Sequence, residues 1–271
     1  MCSQCLVITS YQKKFSTNYL VRFRFMNKQI IILAAGHGTR MKSNLPKVMH
    51  DVDGKPMIEH VITNCYKASD DLVLVHSHHL QPYLDQFTDR CKLANQKEQL
   101  GTAHAVAAAK DLFANEKYIG VIYGDNPLIT DEIINDLFTH LEQTGSKAVT
   151  LAFEYAKPNQ YGRIVTDAEG NFERIVETKF ANEEERKITL CNSGIMAFAP
   201  GILEEYIDKC LAPNPEHPER EFYLTEIIEI CSLAGEKVSY FKSGNPNLVV
   251  GVNTQDELVN ANSIIQNHKE G

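Results

Sequence analysis

Residues 29–35 read QIIILAA and run into the loop 33–50, LAAGHGTRMKSNLPKVMH. A short unbroken apolar run is what a strand buried on both faces of a parallel sheet needs. The loop after it carries Gly36 and Gly38, then Thr39, Arg40, Pro46 and Lys47. In open α/β sheets ligands sit beyond the carboxyl ends of the strands, so a ligand is expected here. Gly36 and Gly38 let backbone N–H groups approach an oxyanion closely, although glycine spacing alone also fits a plain turn. The pattern is neither the P-loop GxxxxGK[ST] nor the dinucleotide GxGxxG. Arg40 and Lys47 on one loop suit a triphosphate whose charge must be neutralised at two points.

The rest of the chain supports a doubly wound sheet. DLVLVH (71–76), YIGVIYGD (118–125) and KAVTLAFEY (147–155) read as further strands. Between them, PMIEHVITNCYK (56–67) has apolar residues at helical spacing and GTAHAVAAAKDLF (101–113) is alanine-rich. DEIINDLFTHLEQTG (131–145) has acids in its first turn and a glycine after its last, which marks a helix. Alternation of strands and helices predicts an α/β fold with a mixed, mainly parallel sheet flanked by helices. After Tyr155 the texture changes. YGRIVTDAEGNFERIVE (161–177) reads as a hairpin, and ITLCNSGIMAFAP (188–200) as a strand with a glycine inside it. Helices are expected at GILEEYIDKCL and YLTEIIEICSLAG, a strand at KVSYFK, and a last helix from about Thr254. The expectation is one domain over 26–271: a nucleotide-binding half (26–155), then a half (156–271) that folds over the same sheet with a small β insertion.

With 271 residues, 43% hydrophobic and 23% charged, the chain has the composition of a globular protein. A net charge of −8 argues against nucleic acid as a partner. Seven scattered cysteines and no export signal point to reduced thiols in the cytoplasm. Cys2 and Cys5 form a CxxC pair with nothing nearby to complete a zinc site. Residues 1–50 hold eight lysines and arginines and no acid. Residues 1–25 are taken as a dispensable leader, disordered or spurious, with Met26 as the working start. No run is long enough to span a membrane. HSHHL offers His76 and His78, which would share a face if extended. A solvated loop is the expectation there, and not a metal site.

LAAGHGTRM followed by PK resembles the signature of the sugar-1-phosphate nucleotidyltransferases, L-x-x-G-x-G-T-R-M-x4-P-K. Within them the chain is most similar to the uridylyltransferase domains of bifunctional bacterial enzymes, from about Lys28 to Asn267. The resemblance implies that Leu33, Ala34, Gly36, Gln96, Gly101, Thr102 and Tyr123 bind nucleotide. It implies that Gln96, in QKEQLGTAHA, meets the uracil edge, where an amide can donate and accept side by side. It assigns Arg40 to the β- and γ-phosphates and Lys47 to the α-phosphate and the sugar phosphate. Gly162, Glu177, Asn192, Tyr223 and Thr225 would surround an N-acetylglucosamine moiety. Asp125, in YGD, and Asn253, in GVNT, would ligate Mg2+. The implied reaction takes UTP and N-acetylglucosamine-1-phosphate to UDP-N-acetylglucosamine and pyrophosphate. Other bases or sugars remain alternatives, as do a metal-dependent glycosyltransferase and a regulator that binds nucleotide sugars without catalysis. His37 stands where related sequences often carry lysine, so phosphate would be held less well at high pH. The bifunctional members continue into a β-helix of hexapeptide repeats. This chain stops at Gly271, so neither acetyl transfer nor the trimer built on that helix is expected.

Overall fold

The computed structural model describes residues 27–156, 159–212 and 221–270. Residues 1–26, with Cys2 and Cys5, lie outside the described residues, as do residues 213–220 of the proline-rich stretch. The first described elements are β1 (Lys28–Ala34), a two-stranded ribbon of β2 (Asp51–Val52) and β3 (Lys55–Pro56), and helix α1 (Met57–Ala68). Then come β4 (Leu72–His76), β5 (Cys91–Asn95), α2 (Thr102–Ala107), β6 (Tyr118–Tyr123), α3 (Asp131–Thr144) and β7 (Ala148–Glu154). The second half adds the hairpin β8 (Arg163–Thr166) and β9 (Phe172–Val176), then β10 (Leu190–Phe198), α4 (Ile202–Cys210), α5 (Glu226–Leu233), β11 (Val238–Lys242) and α6 (Gln255–Glu270).

The main path of the sheet runs β11-β7-β10-β6-β1-β4-β5. Only β10 is antiparallel to its neighbours on that path, so the sheet is mixed and mainly parallel, as expected. The apolar run of β1 explains the layering. Successive side chains of a strand point to opposite faces. Ile30 and Ile32 pack with α1 and α3, while Ile31 and Leu33 pack with α2, α4 and α5. All four are fully or nearly fully buried. From β1 the chain moves through β4 to β5, then returns to place β6 on the other side of β1. That reversal leaves a crevice beyond the carboxyl ends of β1 and β6. The two sequence halves share the sheet, because β10 enters between β6 and β7. The hairpin β8–β9 hangs from the start of β10 through the Cys191–Arg163 pairing.

Several local expectations need correction. The alanine-rich helix stops at Ala107 and gives way to a turn and a short 3-10 stretch, Lys110–Leu112. The side chain of Gln29 takes over there, donating to the Leu112 carbonyl (3.0 Å) and accepting from the Ala114 N–H (2.9 Å), so a tertiary contact overrides propensity. β5 went unread because only Cys91 and Ala94 of its five residues are buried, as suits an edge strand. His76 and His78 share no extended face: His76 ends β4 buried, and His78 opens a 3-10 run to Phe87. Among the described residues no helix is long and apolar enough to cross a membrane.

Candidate active site

The loop after β1 is held at both ends by apolar anchors. Met41 is buried within the turn Thr39–Met41, and Val48 and Met49 are buried in the turn Lys47–Met49. Arg40 and Lys47 therefore project from anchored backbone. Gly38 has φ +64, and a Cβ there would lie 2.5 Å from the Lys47 Cβ. Its missing side chain makes room for the lysine stem. Gly36, by contrast, has nothing within 4 Å of a would-be Cβ.

Asp125 lies just past β6. The backbone of the C-terminal segment is tied to it: the Val252 N–H donates to the Asp125 carbonyl (2.8 Å), and buried Asn126 donates to the Val249 carbonyl (2.8 Å). This brings Asn253 to Asp125 across the sequence. The Lys47 ammonium donates to the Asp125 carboxylate and to Asn253 Oδ1 (3.1 Å), and Arg40 donates to the same Oδ1 (3.0 Å). Asp125 and Lys47 side chains are each 14% exposed. One carboxylate and one amide oxygen are hard donors too few to cage an ion alone, which suits a cation that keeps waters and borrows phosphate oxygens. Among the described residues no group of three or more His, Cys, Asp or Glu side chains is placed to hold a metal.

A cavity of about 780 Å³ opens beside this cluster. Its wall includes Arg40, Asp125 and Asn253 at one end, and Gly162, Glu177, Asn192, Tyr223 and Thr225 towards the other, with Thr102 and Tyr123 also lining it. The Thr225 hydroxyl donates to Glu177 (2.8 Å), and Lys179 donates to the Tyr223 hydroxyl (2.9 Å). Asn192 Oδ1 accepts from Thr150 (2.6 Å) and from the Gly194 N–H (3.1 Å). Burial pushes the Tyr123 phenol well above its usual pKa, so it stays a neutral wall. Leu33, Ala34, Gly36, Lys47, Gln96 and Gly101 are not among the residues lining the cavity. Leu33 and Ala34 end β1 in the core, and Lys47 reaches in to Asp125.

Gln96 follows β5 and is 3% exposed. Its amide nitrogen donates to the Gly101 carbonyl (3.2 Å) and lies 3.1 Å from His104 Nδ1. With the amide nitrogen turned to these two groups, Oε1 is the atom of the amide directed away from them. Gly101 has φ +121, and a Cβ there would sit 2.4 Å from the Phe222 carbonyl oxygen. Paired bonds between Ala103 and Phe222 and between Phe222 and Leu100, each 2.8 Å, clasp the segment after β5 to the segment before α5.

Sequence reasoning missed Asn126, Tyr161, Gly194 and His104. The glycine inside β10 was the signal for Gly194: pairing with β7 slips between Asn192 and Met196, and the Tyr123 ring fills the space a Cβ would take. Tyr161 accepts from the Gly251 N–H (3.1 Å), a contact with no local trace. His37, His78 and His79 are exposed and cluster, with ring centroids 5.5 Å apart for His37–His79 and 3.8 Å for His78–His79.

Residues 30–181 match the family described as MobA-like NTP transferase domain, more than half of the chain. The chain belongs to the MobA-like NTP transferase family. The strand–loop–cation arrangement of β1 and the Asp125 turn both fall inside the matched span. Curated relatives with the printed name "Bifunctional protein GlmU" are also similar. The one from Bacillus subtilis (strain 168) is 38% identical over 238 residues, covering 87% of this chain and 52% of the relative. Those from Clostridioides difficile (strain 630) and Halalkalibacterium halodurans are 39% and 37% identical over 242 residues, covering 89% of this chain and 52% of each relative. The chain thus spans about half the length of the curated relatives it matches. As a MobA-like domain it is a nucleotidyltransferase, in keeping with the resemblance carried by GTRM and PK.

Proposed function

We propose that this domain transfers UMP from UTP to N-acetylglucosamine-1-phosphate, releasing pyrophosphate. The observation that carries the reading is the meeting of Lys47, Arg40, Asp125 and Asn253 at one end of a cavity whose other end holds the Glu177–Thr225 pair. Polar groups converge there from several elements, as a many-hydroxyl sugar requires.

The nucleophile is a phosphate oxygen that is already an anion, so no general base is needed. The chemical task is to bring negative groups together in line. Lys47 serves the α-phosphate and the incoming sugar phosphate, and Arg40 steadies the departing pyrophosphate. Lys47 lies against Asp125 and Asn253, and Arg40 against Asn253. Asp125 and Asn253 would hold a divalent ion through their side-chain oxygens. Read as Mg2+, that ion would supply charge neutralisation for the reacting phosphates when bound. Gln96 offers its acceptor to the N3–H of uracil.

The test is pyrophosphate release with UTP and N-acetylglucosamine-1-phosphate, run beside CTP, GTP and other sugar-1-phosphates. Release highest with the first pair supports the proposal. Release highest with another pair moves the substrate assignment and keeps the chemistry. No release with any pair, from folded protein in Mg2+, overturns it. Gln96→Ala is expected to lower UTP use about tenfold to a hundredfold, because uracil's edge loses its partner.

A further inference from the structure

We infer that His104 is a positioning residue that selects uracil over cytosine by holding the Gln96 amide in one of its two orientations. The inference rests on the reading of Gln96 as the base contact.

The argument begins with the Gly101 carbonyl, which can only accept. The Gln96 atom 3.2 Å from it must therefore be the amide nitrogen. That nitrogen also lies 3.1 Å from His104 Nδ1. An amide nitrogen can only donate, so in this pair Nδ1 serves as the acceptor. An amide turned by half a rotation would set its oxygen against two acceptors. Two anchors thus fix the orientation that a lone glutamine leaves open. The backbone is fixed as well: the Gln96 N–H donates to the His76 carbonyl (2.8 Å), and Gln99 donates to the Gln96 carbonyl (3.2 Å).

Among the described residues no hydrogen bond falls to Gln96 Oε1, so the atom left for a base is an acceptor. Uracil presents a donor at N3, and cytosine presents an acceptor at the same place. An acceptor-only contact takes the first and repels the second. Releasing the His104 anchor leaves the Gly101 carbonyl alone to resist rotation, and the flipped amide would offer cytosine a donor. His104 is carried by α2, so its distance to Gln96 is set by that short helix and by the clasp from Phe222.

The experiment is equilibrium binding of UTP and of CTP, in Mg2+, to wild type and to His104→Leu, His104→Asn and Gln96→Ala, each checked for folding by thermal melt. Leucine keeps the bulk and removes the acceptor. Asparagine keeps an oxygen at the same bond separation from the backbone as Nδ1. His104→Leu should narrow the UTP-over-CTP ratio about tenfold, through weaker UTP and stronger CTP. His104→Asn should hold the ratio within about threefold of wild type. If Gln96→Ala collapses the ratio and His104→Leu leaves it intact, the role given to His104 is wrong and the base contact stands. Equal loss in the leucine and asparagine variants would mean packing alone, and also overturns the role. If Gln96→Ala leaves the ratio unchanged, the reading of Gln96 falls, and this inference falls with it.

Discussion

Asp125 is the carboxylate that pairs with Lys47 in the site. It faces Lys47 directly and shares that lysine with Asn253. Asp125→Asn keeps the shape and removes the charge that offsets the lysine and any bound cation. Turnover should fall by at least about a hundredfold. The fold should survive, because the residue sits past a strand end and not among the buried apolar residues. Asn253→Ala should cost less, since water can replace a neutral oxygen. A magnesium titration of turnover, with melting curves for both variants, checks this. An Asp125→Asn protein that stays near wild-type activity throughout would remove Asp125 from the metal site and the chemistry.

The loop joining β1 to the ribbon β2–β3 works as an element because its two glycines differ. Gly38 adopts a left-handed backbone and gives its side-chain space to Lys47, whereas Gly36 has open space. In the nucleotide-free protein, Gly38→Ala should lose about 1–2 kcal/mol, from the backbone penalty of an L side chain and the contact with the lysine stem. Gly36→Ala should be nearly neutral under the same conditions. Denaturant melts of the two variants without nucleotide separate them. Equal stability of the two would mean that Lys47 shifts freely, and that the loop is less anchored than Met41, Val48 and Met49 imply.

Across the whole molecule, the end of the sheet opposite the site carries a charge that works against the fold. Lys28 starts β1, is 5% exposed, donates to Asn135 (2.6 Å) and lies over the Phe138 ring. Burial lowers its pKa from 10.5 to about 8, with the Glu142 carboxylate partly opposing the shift. Below pH 8 the amine is charged in both the folded and the unfolded chain, so the fold bears the whole cost of burying it. Between about 8 and 10.5 the unfolded chain alone keeps the proton, and this group's contribution to stability rises with pH. Lys28→Met should therefore gain on the order of 1–2 kcal/mol at pH 7, and the gain should fade between pH 8 and 10.5. Urea unfolding of wild type and variant at several pH values measures it. A gain that does not change with pH would show that packing, and not the charge, sets the difference.

What the sequence by itself determined is whatever local pattern carries. The run at 29–35 announces a doubly buried strand, and the acids and Gly145 around α3 mark its ends, where Thr130 caps the first turn. Arg40 and Lys47 are legible because one loop holds both, and Asp125 because it ends a strand. Only the tertiary structure decided the rest. Asp125 meets Asn253 because the segment after Val249 is hydrogen-bonded onto the β6 turn, a contact between distant positions that no periodicity encodes. The early end of α2 depends on Gln29 from another element, and β5 shows too little burial to announce itself. The donor and acceptor order of Gln96 is the clearest case. An amide is ambiguous in sequence, and its sense was decided by a carbonyl and an imidazole that folding set beside it.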